Sequence, residues 1–150
     1  MTDRLKPAEA ARGLIAGATK GALGTLRVGD KNPYVSMVLV ATDEAGAPLM
    51  LLSALAVHTK NLQTDPRASL LIDATDGLGD PVTGARISLT GTVSKTTDSA
   101  ARGRFLARHP AAAGYADFAD FAFYRFEPDG GHLIEGFGRI VDIPRRDLLA

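Results

Sequence analysis

The chain has no cysteine and no tryptophan. Without thiols there are no disulfides, thiolate-bound metals, iron–sulfur clusters or cysteine nucleophiles, so any redox chemistry would need a bound cofactor. Charge of one sign is missing too: Lys plus Arg and Asp plus Glu each number 17, for a net charge of zero. Nothing in that balance draws the chain to nucleic acid or to anionic lipid. Long hydrophobic runs are absent, since stretches such as 35–41 are far shorter than the roughly 20 residues that cross a bilayer. Arg12, Gly13 and Lys20 interrupt the N-terminal segment where an export signal would need a continuous apolar core. The expectation is a cytoplasmic protein with neither nucleic acid nor membrane as partner.

What is present fits one globular domain over residues 1–150, with 45% hydrophobic and 23% charged residues. Ala11, Leu14, Ile15 and Ala18 recur at helical spacing, with Pro7 near the start and Gly21 beyond the end, predicting one amphipathic helix. From Gly21 the period shortens. Residues 22–28, 34–41 and 49–53 are β-type runs separated by the turn-rich GDKNP and DEAGAP, and they predict a meander of antiparallel strands. The second and third of these are apolar at nearly every position, so both their faces should be covered, one by the barrel interior and the other by a helix, ligand or partner.

A short helix is predicted over 57–64, stopped by Asp65-Pro66 because the residue before proline is pushed out of the α region. A strand follows over 68–73. In the next, 86–95, Ile87, Leu89 and Val93 share one face while Arg86, Ser88, Thr90, Thr92 and Ser94 share the other. Thr97 or Asp98 caps a helix running to Arg108, which His109-Pro110 ends. Residues 121–126 and 132–143 are expected to pair across EPDGG as a closing hairpin. The fold class is therefore α+β, an antiparallel sheet of roughly six or seven strands with short flanking helices. Closing such a sheet into a barrel disposes of its edges.

The stretch LMLLSALAVHTKNLQTDPRASLLID, residues 49–73, is the richest in chemistry. A strand ends at Ser53 and a helix opens near His58, Thr59 and Lys60, which puts free N–H groups, a hydroxyl and an ammonium within one turn. That is a phosphate seat; the alternative is that Thr59 and Lys60 cap and solvate a surface helix. Arg86 either faces a ligand or pairs with Asp73 or Asp80. Arg139, next to Gly138, is a candidate for a phosphate or subunit contact. His58, His109 and His132 are too scattered to suggest a metal site, and each is read as a surface or capping residue. The aromatics Tyr115, Phe118, Phe121, Phe123, Tyr124 and Phe126 are assigned to core or dimer interface. Asp98, Asp117 and Asp120 are assigned as helix caps.

The order of these pieces resembles the split β-barrels related to pyridoxamine 5′-phosphate oxidase. The resemblance rests on Ser53, Lys60 and Asp65-Pro66-Arg67-Ala68-Ser69-Leu70-Leu71, with Pro33-Tyr34-Val35-Ser36-Met37-Val38 upstream and Arg86-Ile87-Ser88-Leu89-Thr90-Gly91 downstream. RGRFLARHP at 102–110, residues 118–126 and Gly136-Phe137-Gly138-Arg139 are most similar to the haem-utilisation-type subgroup.

The resemblance implies a split-barrel homodimer with FMN at the subunit interface, acting as an oxidoreductase on an unspecified small molecule. It implies flavin contacts from Ser36, Val38, Leu52 and Ser53, phosphate contacts from His58, Thr59 and Lys60, and a further contact from Arg86, with no catalytic residue indicated. Ser36 and Thr59 stand where the oxidases carry arginines, which points to weaker FMN binding. The oxidases' C-terminal substrate segment, rich in arginine and containing tryptophan, has no counterpart, so pyridoxamine phosphate oxidation is not expected. Haem-degrading relatives carry an additional C-terminal region with the haem ligand, and haem cleavage is not expected either. The alternatives are a flavin or haem binding protein without turnover and a deazaflavin-dependent reductase.

Overall fold

The computed structural model describes residues 2–136 and 138–150. Helix α1 (Thr2–Gly17) leads into β1 (Lys20–Leu26) and β2 (Pro33–Leu39), then the short β3 (Ala41–Thr42) and β4 (Pro48–Ser53). Helix α2 (Val57–Thr64) precedes β5 (Arg67–Asp73) and β6 (Arg86–Lys95). Helix α3 (Ser99–Arg108) is followed by β7 (Phe121–Ile134), β8 (Ile140–Pro144) and the single turn α4 (Arg145–Leu148).

All strand pairs are antiparallel, in the order β2-β1-β5-β6-β7-β4-β3, with β8 added on β7. The two ends of that order, β2 and β3, are one run of chain joined through Val40, whose N–H donates to the Thr19 carbonyl. The sheet therefore curls until its ends meet: the antiparallel α+β architecture expected from the strand pattern forms, closed as the split barrel that the resemblance implies. Its interior holds Leu23, Val40, Met50, Leu70, Ile72, Ile87, Leu89, Phe126 and Leu133, all buried. A second apolar cluster lies under α3, where Phe105 meets Phe123 edge-on at 5.6 Å between ring centres beside Ala41, Leu49 and Ala101.

Local expectations hold in several places. Strand β6 buries Ile87, Leu89 and Val93 and turns Ser88, Thr90 and Thr92 outward. Helix α2 spans the predicted residues, and Asp98 caps α3 by accepting from the Ala100 N–H at 3.0 Å. Elsewhere the structure corrects them. Helix α1 ends at Gly17, and Gly21 belongs to β1, where a Cβ would lie 2.9 Å from Leu70 Cδ1.

EPDGG is not a turn either. It runs through the middle of β7, which pairs with β6 along its whole length with a shift of register at Thr90/Gly91. The hairpin turn lies at 135–139, where Gly136 and Gly138 take φ values of +104° and +74°, open to glycine at little cost. Of the residues that carry the resemblance, Phe137 lies outside the described residues. Strand β2 turns one apolar face away from the barrel interior, where Val35 and Met37 are each 67% exposed and Leu39 is 38% exposed.

Candidate functional site

Two regions hold the chemistry-bearing side chains: the mouth of α2, and the outward face of the sheet from β2 to β8. Helix α2 is fastened to β1 by Asn61, a buried residue whose Nδ2 donates to Thr25 Oγ1 at 3.0 Å and whose Oδ1 accepts from the Val28 N–H at 3.2 Å. A buried amide with both ends satisfied fixes orientation, because a shift would orphan polar groups away from water. That anchorage sets His58, one turn earlier, against β2. Its Nδ1 is 2.9 Å from Ser36 Oγ, and burial pushes the imidazole pKa below its ordinary value, favouring the neutral ring.

The other predicted contacts divide. Val38 and Leu52 point into the barrel core and are buried, so only their backbone could meet a ligand. Ser53 Oγ donates to Asp120 Oδ2 at 2.8 Å and accepts from the Leu55 N–H. Asp120 is thus a partner for Ser53, not a helix cap, and it puts a carboxylate beside the strand end proposed to touch flavin. Thr59 is fully buried and its hydroxyl has no hydrogen-bond partner, so it does not face a surface ligand. Lys60 is exposed in the first turn of α2.

Arg86 does not converge on this region within one chain. It pairs across β5 with Asp73, the last residue of that strand, whereas α2 leads into Arg67, the first. Its guanidinium donates to the Val82 and Gly84 carbonyls at 2.9 and 3.2 Å. Arg139 lies in the β7–β8 turn, exposed, with Glu135 Oε2 at 3.9 Å; it is not on the closing strand, which begins at Ile140.

The outward face of the sheet is organised by register. Met37 pairs with Ala22, Ala22 with Leu71, Leu71 with Ser88, Ser88 with His132, and His132 with Asp142. Directly paired residues project to the same side of a sheet, so these six form one cross-strand row. A parallel row runs Val35, Gly24, Ser69, Thr90, Gly130, Pro144. Glycine and alanine keep the middle low, and two open depressions result. One, of about 390 Å³, includes Gly24, Tyr34, Val35, Ser69 and Thr90 in its lining. The other, of about 410 Å³, includes Ser88, Thr90, Gly130, His132 and Asp142. A side chain at Gly24 would collide with Ser69, whose Oγ lies 2.6 Å from where a Cβ would stand.

His132 Nδ1 is 2.7 Å from Asp142 Oδ1. That pairing was invisible in sequence because the two residues are ten apart and meet only through the β7–β8 register. His109 is committed elsewhere, its Nε2 2.8 Å from the Val40 carbonyl oxygen and its ring against Phe105. Among the described residues, no group of three or more His, Cys, Asp or Glu side chains is placed to hold a bare metal ion. No helix among them is long and apolar enough to cross a membrane.

A curled antiparallel barrel with a ligand-sized outward face defines a class, the split barrels of the pyridoxamine oxidase-like fold. Residues 2–149 match the CREG beta-barrel family, and the chain belongs to it. It is 41% identical over 139 residues to the non-canonical heme oxygenase HOZ of the Arabidopsis thaliana chloroplast. That alignment takes in 89% of this chain but 41% of the relative, so the chain spans about two fifths of the curated protein it matches. A heme binding protein from Mycobacterium smegmatis is 32% identical with a TM-score of 0.88, over 95% of this chain and 59% of that one. HutZ, a heme storage protein from Vibrio cholerae, shares the fold with a TM-score of 0.70 at 19% identity, over 87% of this chain and 94% of that one.

Proposed function

We propose that this protein binds haem on the outward face of its barrel, as a haem-handling protein in the cytoplasm. The observation that carries the reading is the exposed apolar row of Val35, Met37 and Leu39 beside a floor of Ala22, Gly24 and Leu71. A macrocycle seated there removes apolar surface from water that the fold by itself leaves wet. The donor set fits the group as well: Lys20 and Arg86 stand toward one end of this face for carboxylates, and histidines are at hand for iron. Two relatives above 30% identity carry haem in their names, which supports the same direction. Bound haem would supply the redox-active iron; this chain's residues exclude water from the ring and orient it. A second copy closing over β2 would complete the enclosure, giving a homodimer with its sites at the interface.

FMN is the second reading, and with it oxidoreductase activity on a small molecule. It draws on Lys60, exposed in the first turn of α2 next to the Ser36–His58 pair. Against it stand the buried Thr59 hydroxyl and the Asp120 carboxylate at Ser53, which would repel a phosphorylated ligand. Parallel titrations decide. Haemin added to the purified protein is expected to give a Soret band that saturates at one equivalent per chain, while added FMN stays free on a desalting column. Retained FMN with no haemin uptake would reverse the order.

A further inference from the structure

We infer that Arg104 and Arg108 of α3 form a binding site for the phosphate group of a small molecule, separate from the outward face of the sheet and independent of the haem reading. Within α3, Ala101 and Phe105 are buried in the apolar cluster with Ala41, Leu49 and Phe123. His109 locks the end of the helix, its Nε2 2.8 Å from the Val40 carbonyl oxygen. Arg104 and Arg108 stand four residues apart, so both lie along one flank of that buried stripe. The packing carries this flank to the edge where α3 meets β3 and the end of α1.

Main-chain carbonyls there hold both guanidiniums in place. Arg104 Nε donates to the Thr42 carbonyl at 2.7 Å, and Arg108 Nη2 donates to the Ala16 carbonyl at 2.6 Å. Each contact uses one N–H of a planar fork that carries several, and the rest stay available to a ligand. Both arginines are exposed, and with Ala41, Thr42 and Ala107 they line an open cleft of about 490 Å³.

Charge selects the ligand class. Arg102, on the same helix, is neutralised by Asp117 at 2.8 Å, whereas among the described residues neither Arg104 nor Arg108 has a carboxylate within ion-pair distance. Of the carboxylates in the adjoining depression, Asp43 is held by Arg125 at 2.6 Å, Asp98 caps α3, and Glu44 makes no ion pair with Arg104. The carbonyls that fix the two guanidiniums accept hydrogen bonds without cancelling their charge. The cleft therefore keeps two positive charges and more N–H donors than acceptors. A phosphate group brings close to two negative charges and several strong acceptor oxygens, and guanidinium forks match its geometry in bidentate fashion. A lone carboxylate would answer only one of the two arginines.

The test titrates the full chain with inorganic phosphate and with pyrophosphate at low ionic strength, read by calorimetry and by amide NMR shifts. One equivalent of pyrophosphate is expected to bind, with the largest shifts at Thr42, Ala107 and Arg108. Arg104→Gln and Arg108→Gln are each expected to weaken binding by about 10-fold or more, because a charged hydrogen-bond donor is lost. Arg108→Lys, which keeps the charge and loses the fork, should weaken it less. Arg27→Gln, at an exposed arginine of the β1–β2 loop, should leave the affinity unchanged. Thermal melts check that each variant is folded, and the shift map of the wild type needs no variant at all. The assignment is overturned if neither anion binds, if the shifts centre on Lys60 instead of α3, if affinity survives in the Arg104→Gln/Arg108→Gln double variant, or if succinate binds as tightly as pyrophosphate.

Discussion

The two sides of the same strands follow opposite rules. Inward, β1, β5, β6 and β7 present Leu23, Leu70, Ile72, Ile87, Leu89 and Phe126, packed with almost no exposure. Outward, those strands present Ala22, Gly24, Ser69, Leu71, Ser88, Thr90 and His132, a mixture of small, polar and apolar groups around two depressions. The inner side is under packing constraint, where each methylene counts. The outer side has apolar groups that do nothing for the isolated fold, and such groups mark a surface meant to be covered. Stability and recognition are thus assigned to alternate residues of one strand, and neighbours in sequence should respond differently to the same substitution.

Leu70 and Leu71 give the sharpest contrast, being 0% and 40% exposed. Leu70→Ala is expected to cost about 2–5 kcal/mol in chemical denaturation, the range for emptying a core site. Leu71→Ala should change stability by less than about 1 kcal/mol, as surface substitutions do. It should nevertheless weaken haemin several-fold, since about 1 kcal/mol of apolar contact is removed from the ligand. Equal stability losses at both positions would break the division between faces.

The mouth of α2 offers a subtler comparison between polar groups that are satisfied and one that is not. Thr59→Val removes a buried hydroxyl with no partner while keeping the shape, so the melting temperature is expected to stay level or rise, by up to about 1 kcal/mol in stability. Asn61→Leu leaves Thr25 Oγ1 and the Val28 N–H without their partner, and is expected to cost about 2 kcal/mol. A fall in stability for Thr59→Val would show that its hydroxyl has a role.

The smallest effect is in pH dependence. Burial lowers the pKa of His58, so the unfolded chain takes up a proton near the ordinary 6.5 while the folded one resists. The unfolded state then binds more protons between the lowered folded value and 6.5, and stability falls as pH drops through that window. In His58→Gln that part of the slope should be gone, which denaturation midpoints at pH 8, 6 and 5 would reveal.

How much was legible from the chain alone depended on distance along it. The alternation of β6, the span of α2 and its stop at Asp65-Pro66, and the Asp98 cap are local, and each appeared where the residue pattern placed it. The turn in the closing hairpin was misplaced because EPDGG has turn composition, yet the second of its glycines serves close packing. A Cβ at Gly131 would lie 2.9 Å from Ile87 Cδ1, so glycine there answers to β6. The candidate site was legible in part. Ser36 and His58 were picked out separately and do meet, but Thr59 was taken for a ligand contact when it is buried. His132 and Asp142 gave no signal at all, one being read as a surface residue and the other not singled out.

By itself the sequence determined the element types and the inside-to-outside assignment of most strands, because periods of 2.0 and 3.6 residues are written in the order of side chains. Only the tertiary structure decided which strands stand next to which, and at what register. Those choices are made by contacts between residues far apart in the chain. They are what lines up six residues from six strands into one row, brings a carboxylate to a histidine, and leaves one hydroxyl of α2 sealed from solvent.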